Sequence, residues 1–598
     1  MSASSAPNRP TRLGFMRQVV RLAGAYWSSE DRLTIRGATL VLFGLTLAQV
    51  ALVIWTNYWN RALFDALEIR SLSDFLIQIG NFVFIFFLTI GVTAAHLQVK
   101  RWLQLDWRRW LSERLIDNWM ARGHHYQLLF TDGEHDNPDG RIAEDIRIAT
   151  ETAIGLAHSL VFSLLILGSF VQILLSVSGS ATLPGTSVVV PGYMVVAAFA
   201  YAGCGTVLGL ILGRPLIAST NHLQTAEANF RFGLAHAREN SESIALMHGE
   251  AIEREQSSKL FGGVELGWNR QTLAFTWIVA FSGGYGTLLP VFPILIAAPQ
   301  FIAGAMSLGV LMQAAQAFQK LTSALSWPID NLGDMAKCRA SADRVLSLYD
   351  DLLQLEQYDA TNTVPRIALR DADKQTLEIR DLCITNPNGQ ILLENFNETF
   401  HRGDRVLIAG DATVTVALFK VIAGLWPWGS GTVLLPRQHA ISFVPQRPFL
   451  PHGSLDALLS YPQAAHSYEP RAIHRALECA GVSWLMPRLR EVDDWDRSLP
   501  LRTQQRLAFA RLLLQRPDWI FIEEATDALD ADAERCLMEM LRRELPNATI
   551  ITISFHAGLE ALHQRKLVLN RLREARFLRV EETLDDNDEP PDAKRANA

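Results

Sequence analysis

Long runs without a single charged residue dominate the first half of this chain, and short β-branched runs dominate the second. Nothing charged lies between Arg36 and Arg61, between Asp74 and Lys100, between Glu151 and Arg214, or between Arg270 and Lys320. A membrane span takes about 20 apolar residues, and a charge at the bilayer centre costs roughly 2.5–3.5 kcal/mol. The first two gaps each have room for one span. The third is divided by the polar stretch SVSGSATLPGTS, and the fourth is broken around Pro293 and Pro299, so each of these holds two. Six spans are therefore expected, near 37–60, 75–98, 153–176, 190–213, 272–296 and 301–319. Buried helices of a soluble core average about 11–12 residues, too short to account for these runs.

The basic residues give the orientation. The N-terminal segment carries Arg9, Arg12, Arg17, Arg21, Arg32 and Arg36. The connection after span two carries Lys100, Arg101, Arg108, Arg109, Arg114 and Arg122, and that after span four carries Arg214, Arg231, Arg238, Arg254 and Lys259. An excess of Lys and Arg marks cytoplasmic loops, so both termini are expected in the cytoplasm. The basic connections also hold apolar residues at helical spacing, as in LAHARENSESIALMHGEAIE. Spans two to five should thus continue as helices beyond the bilayer. The basic N-terminus lacks a short apolar core followed by a cleavage site, so no signal peptide is expected.

Beyond about residue 345 hydropathy falls, and 346–375 reads as a linker. The runs LEIRDLCIT, ILLENFNETF, DRVLIAG, AISFVPQ, WIFIEEA and TIITISF then appear, with helical stretches between the later ones. That pattern predicts an α/β domain with a largely parallel sheet over 376–572, after an α-helical six-span transmembrane domain over 1–345. The acidic, Pro-containing end, 573–598, reads as a disordered tail. Net charge is −7 over 598 residues, which leaves no nucleic-acid footprint. The cysteines Cys204, Cys338, Cys383, Cys479 and Cys536 form no CxxC pair and read as buried thiols.

Within the second half, LPLRTQQRLAFARLLLQRPDWIFIEEATDALD resembles the signature, Walker B and D-loop segment of an ABC ATPase. GDRVLIAGDATVTVALFKVIAGLWPWGSGTV resembles the Walker A strand, loop and helix of a P-loop NTPase, and VPQRPFLPHGSL a Q-loop. In the first half, NYWNRALFDALE, DNPDGRIAEDI, GRPLIASTNHLQTAEANFRFGLAHARENSESIALMHGE and LGVLMQAAQAFQKLTSALSW resemble the SbmA/BacA-like transporters, most closely their ATPase-fused, YddA-type half-transporters. The resemblance implies an ABC exporter-like (type-1) transmembrane fold and a multi-pass homodimer in the lipid bilayer of a bacterial inner membrane. It also implies ATP and Mg²⁺ as cofactors of an ATP-coupled translocase, and peptides or other bulky small-molecule solutes as the imported substrate.

Several motif positions depart from that family. A P-loop reads GxxxxGK[ST]: backbone amides cradle the phosphates, Lys reaches the β/γ oxygens and the hydroxyl ligates Mg²⁺. Here the nucleotide-binding candidates are Gly410, Asp411, Ala412, Thr413 and Thr415; the loop is one residue short, and Thr415 or Val416 falls where Lys belongs. Lys420 lies further along, on a different helical face. Asp411 adds a negative charge beside the expected triphosphate. In the signature, Pro500 replaces Ser and Arg502 replaces Gly, ahead of Gln504. Walker B ends Glu523-Glu524: Glu523, with the Q-loop Gln446, is the Mg²⁺ candidate, and Glu524 stands at the general-base position. Phe555 occupies the switch-histidine position, with His556 one residue late as the displaced candidate.

Three functions fit this pattern. One is an ATP-driven transporter with weak or absent hydrolysis. Another is a proton-coupled or facilitative carrier whose nucleotide domain is structural or regulatory. The last is a receptor or scaffold that transports nothing. For the carrier, Glu227, Glu239 and Glu242, followed by Glu250 and Glu253, form a possible carboxylate ladder. The plainer reading of those residues is a solvated face paired with Arg231, Arg238 and Arg254.

Overall fold

A computed structural model describes residues 23–130, 137–182, 189–360, 366–371, 376–436, 441–570 and 581–583. The chain divides into two compact units: Met1–Asn118 with His135–Asp350, and Trp119–Glu134 with Asp351–Ala598.

In the first unit five helices are long and apolar enough to cross a membrane: α1 (Arg32–Glu68), α2 (Leu72–Met120), α3 (Pro138–Ser178), α4 (Tyr193–Glu239) and α5 (Glu250–Ile302). With 49, 47 and 53 residues, α2, α4 and α5 run about 70–80 Å at 1.5 Å per residue, far beyond a hydrocarbon layer of about 30 Å. The expected extension of these spans as helices is therefore present, and the short helix Ser241–Leu246 joins α4 to α5.

The sixth expected span is the exception. The helix α5 runs unbroken through Pro290, Pro293 and Pro299, and the chain reverses only after Ile302. Proline is tolerated inside such helices when neighbours satisfy the freed carbonyls. The next helix, α6 (Leu308–Leu325), has 18 residues and carries Gln313, Gln316, Gln319 and Lys320. Among the described residues, five helices rather than six thus have the length and apolarity of a span.

Although short, α6 is central to its unit. Leu311, Ala314, Ala317, Phe318 and Leu321 are buried with Phe170 and Leu174 of α3 and Met194 and Ala198 of α4. The stripe Asn57, Arg61, Asp65 and Glu68 on α1 recurs at helical spacing and docks its start. Asn57 Nδ2 donates to Gln316 Oε1 at 2.8 Å, and Gln313 Nε2 donates to Asn57 Oδ1 at 3.2 Å. Asp65 Oδ1 accepts from Ser307 Oγ at 2.6 Å and from the Gly309 amide at 3.1 Å, while Glu68 Oε2 accepts from the Leu308 amide at 2.8 Å. Carboxylates at a helix N-terminus satisfy otherwise orphaned amides and complement its dipole. Gly309 is required sterically: a Cβ there would sit 2.3 Å from the Arg61 carbonyl.

The helix α7 (Leu332–Ala360) runs through 346–360, where a linker was expected; 361–365 and 372–375 lie outside the described residues. The second unit then builds two sheets from β1 (Ala368–Asp371), β2 (Thr376–Thr385), β3 (Ile391–His401), β4 (Arg405–Gly410), β5 (Gly429–Leu435), β6 (Ile441–Val444), β7 (Trp519–Glu523), β8 (Thr549–Ile553), β9 (Arg565–Leu569) and β10 (Glu581–Thr583). One sheet has the order β10-β9-β4-β8-β7-β6 and is parallel except at its edge strand β10; the other has the order β1-β5-β2-β3. The described helices of this unit include α8 (Ala412–Ile422), α9 (Leu455–Ser460), α10 (Pro470–Cys479), α11 (Leu501–Gln515) and α12 (Ala531–Glu544). Phe521, Ile551 and Ile408 seal one core beneath α8, and Ile520, Ile522 and Ile550 another against α11 and α12. Of the tail expected over 573–598, only Glu581–Thr583 is described; the rest lies outside the described residues.

Candidate nucleotide site

Open parallel sheets place ligands at the carboxyl ends of their strands. Here β4, β7 and β8 bring Gly410, Glu523 and Ile553 to that edge. Gly410 has φ +125°, and a Cβ would fall 1.9 Å from the Leu569 carbonyl, so only glycine fits. After Gly410 no loop follows. Asp411 is already the N-cap of α8: its amide donates to Leu569 O at 2.7 Å, and its carboxylate accepts from the Thr413 amide at 2.8 Å. Its carbonyl accepts from the amides of Val414 and Thr415 at 3.1 and 3.0 Å. The first-turn amides of Thr413, Val414 and Thr415 are thus all turned back onto Asp411. Thr415, one of the two residues expected where the P-loop Lys belongs, is fully buried, and its hydroxyl donates to Ala412 O at 3.2 Å.

A triphosphate needs those amides and a cation. The residues present do not fit it: a carboxylate already caps the helix, and no lysine stands in its first turn. Lys420 Nζ lies 5.8 Å from the ring centres of both Tyr126 and Trp426. Its charge also acts on Glu523. Burial raises the Glu523 carboxyl above the usual carboxylate range, Lys420 offsets part of that, and Glu524 adds to the rise. Glu524 follows in a left-handed conformation, φ +44°, its amide donating to Ile553 O at 2.9 Å.

Gln446 is engaged rather than free. Its Nε2 donates to Asp527 Oδ2 at 2.7 Å, and its carbonyl accepts from Gln505 Nε2 at 3.0 Å. Gln505 Nε2 also donates to Asp527 Oδ1 at 2.5 Å, and Gln505 Oε1 accepts from the Ala528 amide. Motif positions alone pointed to Gln446 and Gln504 and missed Gln505 and Asp527, which complete this network. Gln504 is buried and structural, donating to Asp496 O and Leu499 O at 2.8 Å each. Pro500 caps α11 without a side-chain bond, and Arg502 is exposed on its first turn.

His556 Nδ1 lies 3.1 Å from Glu534 Oε1, which also accepts from Thr526 Oγ1 at 2.5 Å. Phe555, at the switch position, is half-exposed. In the other unit Glu227, Glu239 and Glu242 are all exposed on α4 and the helix after it.

The comparisons agree with this architecture. Residues 28–290 match the ABC transporter transmembrane region 2 family. The chain is 29% identical to the inner membrane ABC transporter ATP-binding protein YddA of Escherichia coli (strain K12), over 89% of this chain and 94% of that protein. It is 24% identical to the lysosomal cobalamin transporter ABCD4 of Homo sapiens, over 92% and 94% of the two chains. A bacterial Atm1-family ABC exporter with ATP bound shares the fold, with TM-score 0.66 at 15% identity over 90% of this chain and 95% of that one. Residues 28–290 thus match an ABC transporter transmembrane region, an α/β domain follows in the same chain, and the chain as a whole aligns with ABC-type half-transporter homologues.

Proposed function

We propose that this chain is one half of a dimeric inner-membrane importer for peptides or other bulky solutes, driven by a proton gradient rather than by ATP turnover at its own P-loop. The observation that carries this reading is Asp411: its carboxylate and carbonyl take the first-turn amides of α8, in the place where a nucleotide would put its phosphates. Losing the P-loop Lys, the signature Ser and the switch His removes three groups that stabilise phosphoryl transfer, each by roughly a hundredfold or more. The α/β domain then serves as a structural or regulatory partner of the transmembrane unit. Both termini face the cytoplasm in this reading, and the sixth crossing falls on α6. The relatives support membrane transport by an ABC half-transporter as the class, and the direction and substrate are our assignment.

The test is nucleotide binding and hydrolysis by the purified full-length protein. We expect no saturable ATP binding and no hydrolysis above that of a Glu524→Gln variant. Hydrolysis that Glu524→Gln abolishes would overturn the reading.

A further inference from the structure

Two imidazoles, His96 buried and His158 half-buried, face each other between α2 and α3. The rings of His96 and His158 lie 4.2 Å apart, centre to centre, tilted by 47°. His96 is only 5% exposed, and Phe162 stacks on the other side of His158 at 6.2 Å. Both Nε2 atoms are buried, and neither has a hydrogen-bond partner among the described residues. A buried polar nitrogen without a partner is destabilising, so two of them side by side are a costly way to fill an apolar seam. Leucine or phenylalanine would pack there without that cost. The arrangement is explained if the pair is a site that something small enters and leaves.

The surroundings say what. No group of three or more metal-ligating side chains exists among the described residues, so a metal would find only two ligands here. The charged neighbours are few. Lys100, one turn along α2 from His96, acts electrostatically on both imidazoles. On α3 the next titratable residue is Glu151, two turns from His158, where it pairs loosely with Arg101 at 3.9 Å and its carbonyl accepts from Gln104 Nε2 at 2.8 Å. The helix α1 has no charge between Arg36 and Arg61. The short helix Trp327–Asp330 donates from Trp327 Nε1 to Ser159 Oγ at 3.0 Å and brings Asp330 as its titratable residue. On α7, Cys338 reaches Ala149, more than two turns from His158.

We propose that His96 and His158 form the proton-binding site of this chain: the pair takes one proton from water onto one of its Nε2 atoms, shares it with the other, and returns it to water on the opposite side when the seam between α2 and α3 opens. Only a proton moves, and no other bond changes. An imidazole is suited to this because its ordinary protonation range brackets neutral pH. The site rests on the proton-driven reading above, and it locates the coupling in the imidazole pair rather than in the exposed glutamates of α4.

The test uses the full chain in liposomes and a fluorescein-labelled oligopeptide as probe, with an imposed pH gradient and no nucleotide. Wild type is expected to accumulate the probe, with an accumulation that changes with pH. His96→Gln and His158→Gln should each reduce accumulation to the level of protein-free vesicles and remove that pH profile. Both must remain monodisperse and melt near the wild-type temperature; His158→Asn serves if the glutamine variant does not. Gradient-driven accumulation with an unchanged pH profile in both variants overturns the imidazole site but leaves the carrier reading standing. No gradient-driven accumulation in wild type overturns the carrier reading and the site with it.

Discussion

Asp411 sits where the chain would otherwise present open amides to an anion, and its own carboxylate supplies that anion. Removing such a cap by Asp411→Ala should cost about 1 kcal/mol of domain stability, read by thermal unfolding. It should not create ATP hydrolysis, because no lysine stands in the first turn of α8. A second residue gives the domain a pH dependence. His563 is buried, with Nδ1 2.8 Å from Leu559 O and Nε2 2.9 Å from Thr552 Oγ1. Burial lowers its pKa, so the folded imidazole stays neutral where the unfolded one would bind a proton. Its stability contribution is therefore complete above the unfolded value, about 6.5, and is lost as pH falls below it. Melting temperature followed from neutral to mildly acidic pH should fall in wild type and fall less steeply in His563→Gln.

Some of this was legible one residue at a time. That no Gly-Lys pair occurs in the chain and that Asp411 directly follows Gly410 can be read from the sequence itself. What Asp411 does with its charge cannot, since a cap is a matter of φ/ψ and the next turn. Gln505 and Asp527 were missed for a similar reason. Their partner Gln446 lies far off in sequence, and only the fold brings Gln446, Gln505 and Asp527 together. The His96–His158 pair was equally hidden, because each histidine stands alone in an apolar stretch and gains meaning only when two helices pack.

Among the elements, the charge gaps located the five long helices well, because the cost of burying charge acts wherever the chain folds. The break between the last two helices was misplaced. Pro293 and Pro299 read as a stop, but α5 passes through both and turns after Ile302. The segment NYWNRALFDALE carried information that hydropathy did not reveal: its polar stripe on α1 is the dock for the start of α6. That dock predicts a sharp contrast between glycines. Gly309→Ala would put a methyl 2.3 Å from the Arg61 carbonyl, which is backbone and cannot swing away. It should destabilise the transmembrane unit by roughly 1–3 kcal/mol, visible as a lower melting temperature in detergent. Gly333→Ala, with nothing within 4 Å of its Cβ, should leave melting unchanged or raise it slightly.

For the whole molecule, the changes to both the P-loop and the signature matter together. In an ABC dimer one chain's P-loop meets the other's signature motif. On the proposed reading, two copies of this chain would pair an altered P-loop with an altered signature at both sites, and an intact partner would still leave each site altered on one side. On that reading neither pairing restores a complete site, and the proton gradient is left as the driving force. The most direct test is uptake of a labelled oligopeptide into liposomes holding the full-length chain, with ATP alone, with a pH gradient alone, and in the Glu524→Gln variant. Uptake is expected with the gradient alone, none with ATP alone, and no effect of Glu524→Gln; ATP-dependent uptake that Glu524→Gln abolishes would contradict a proton-driven carrier.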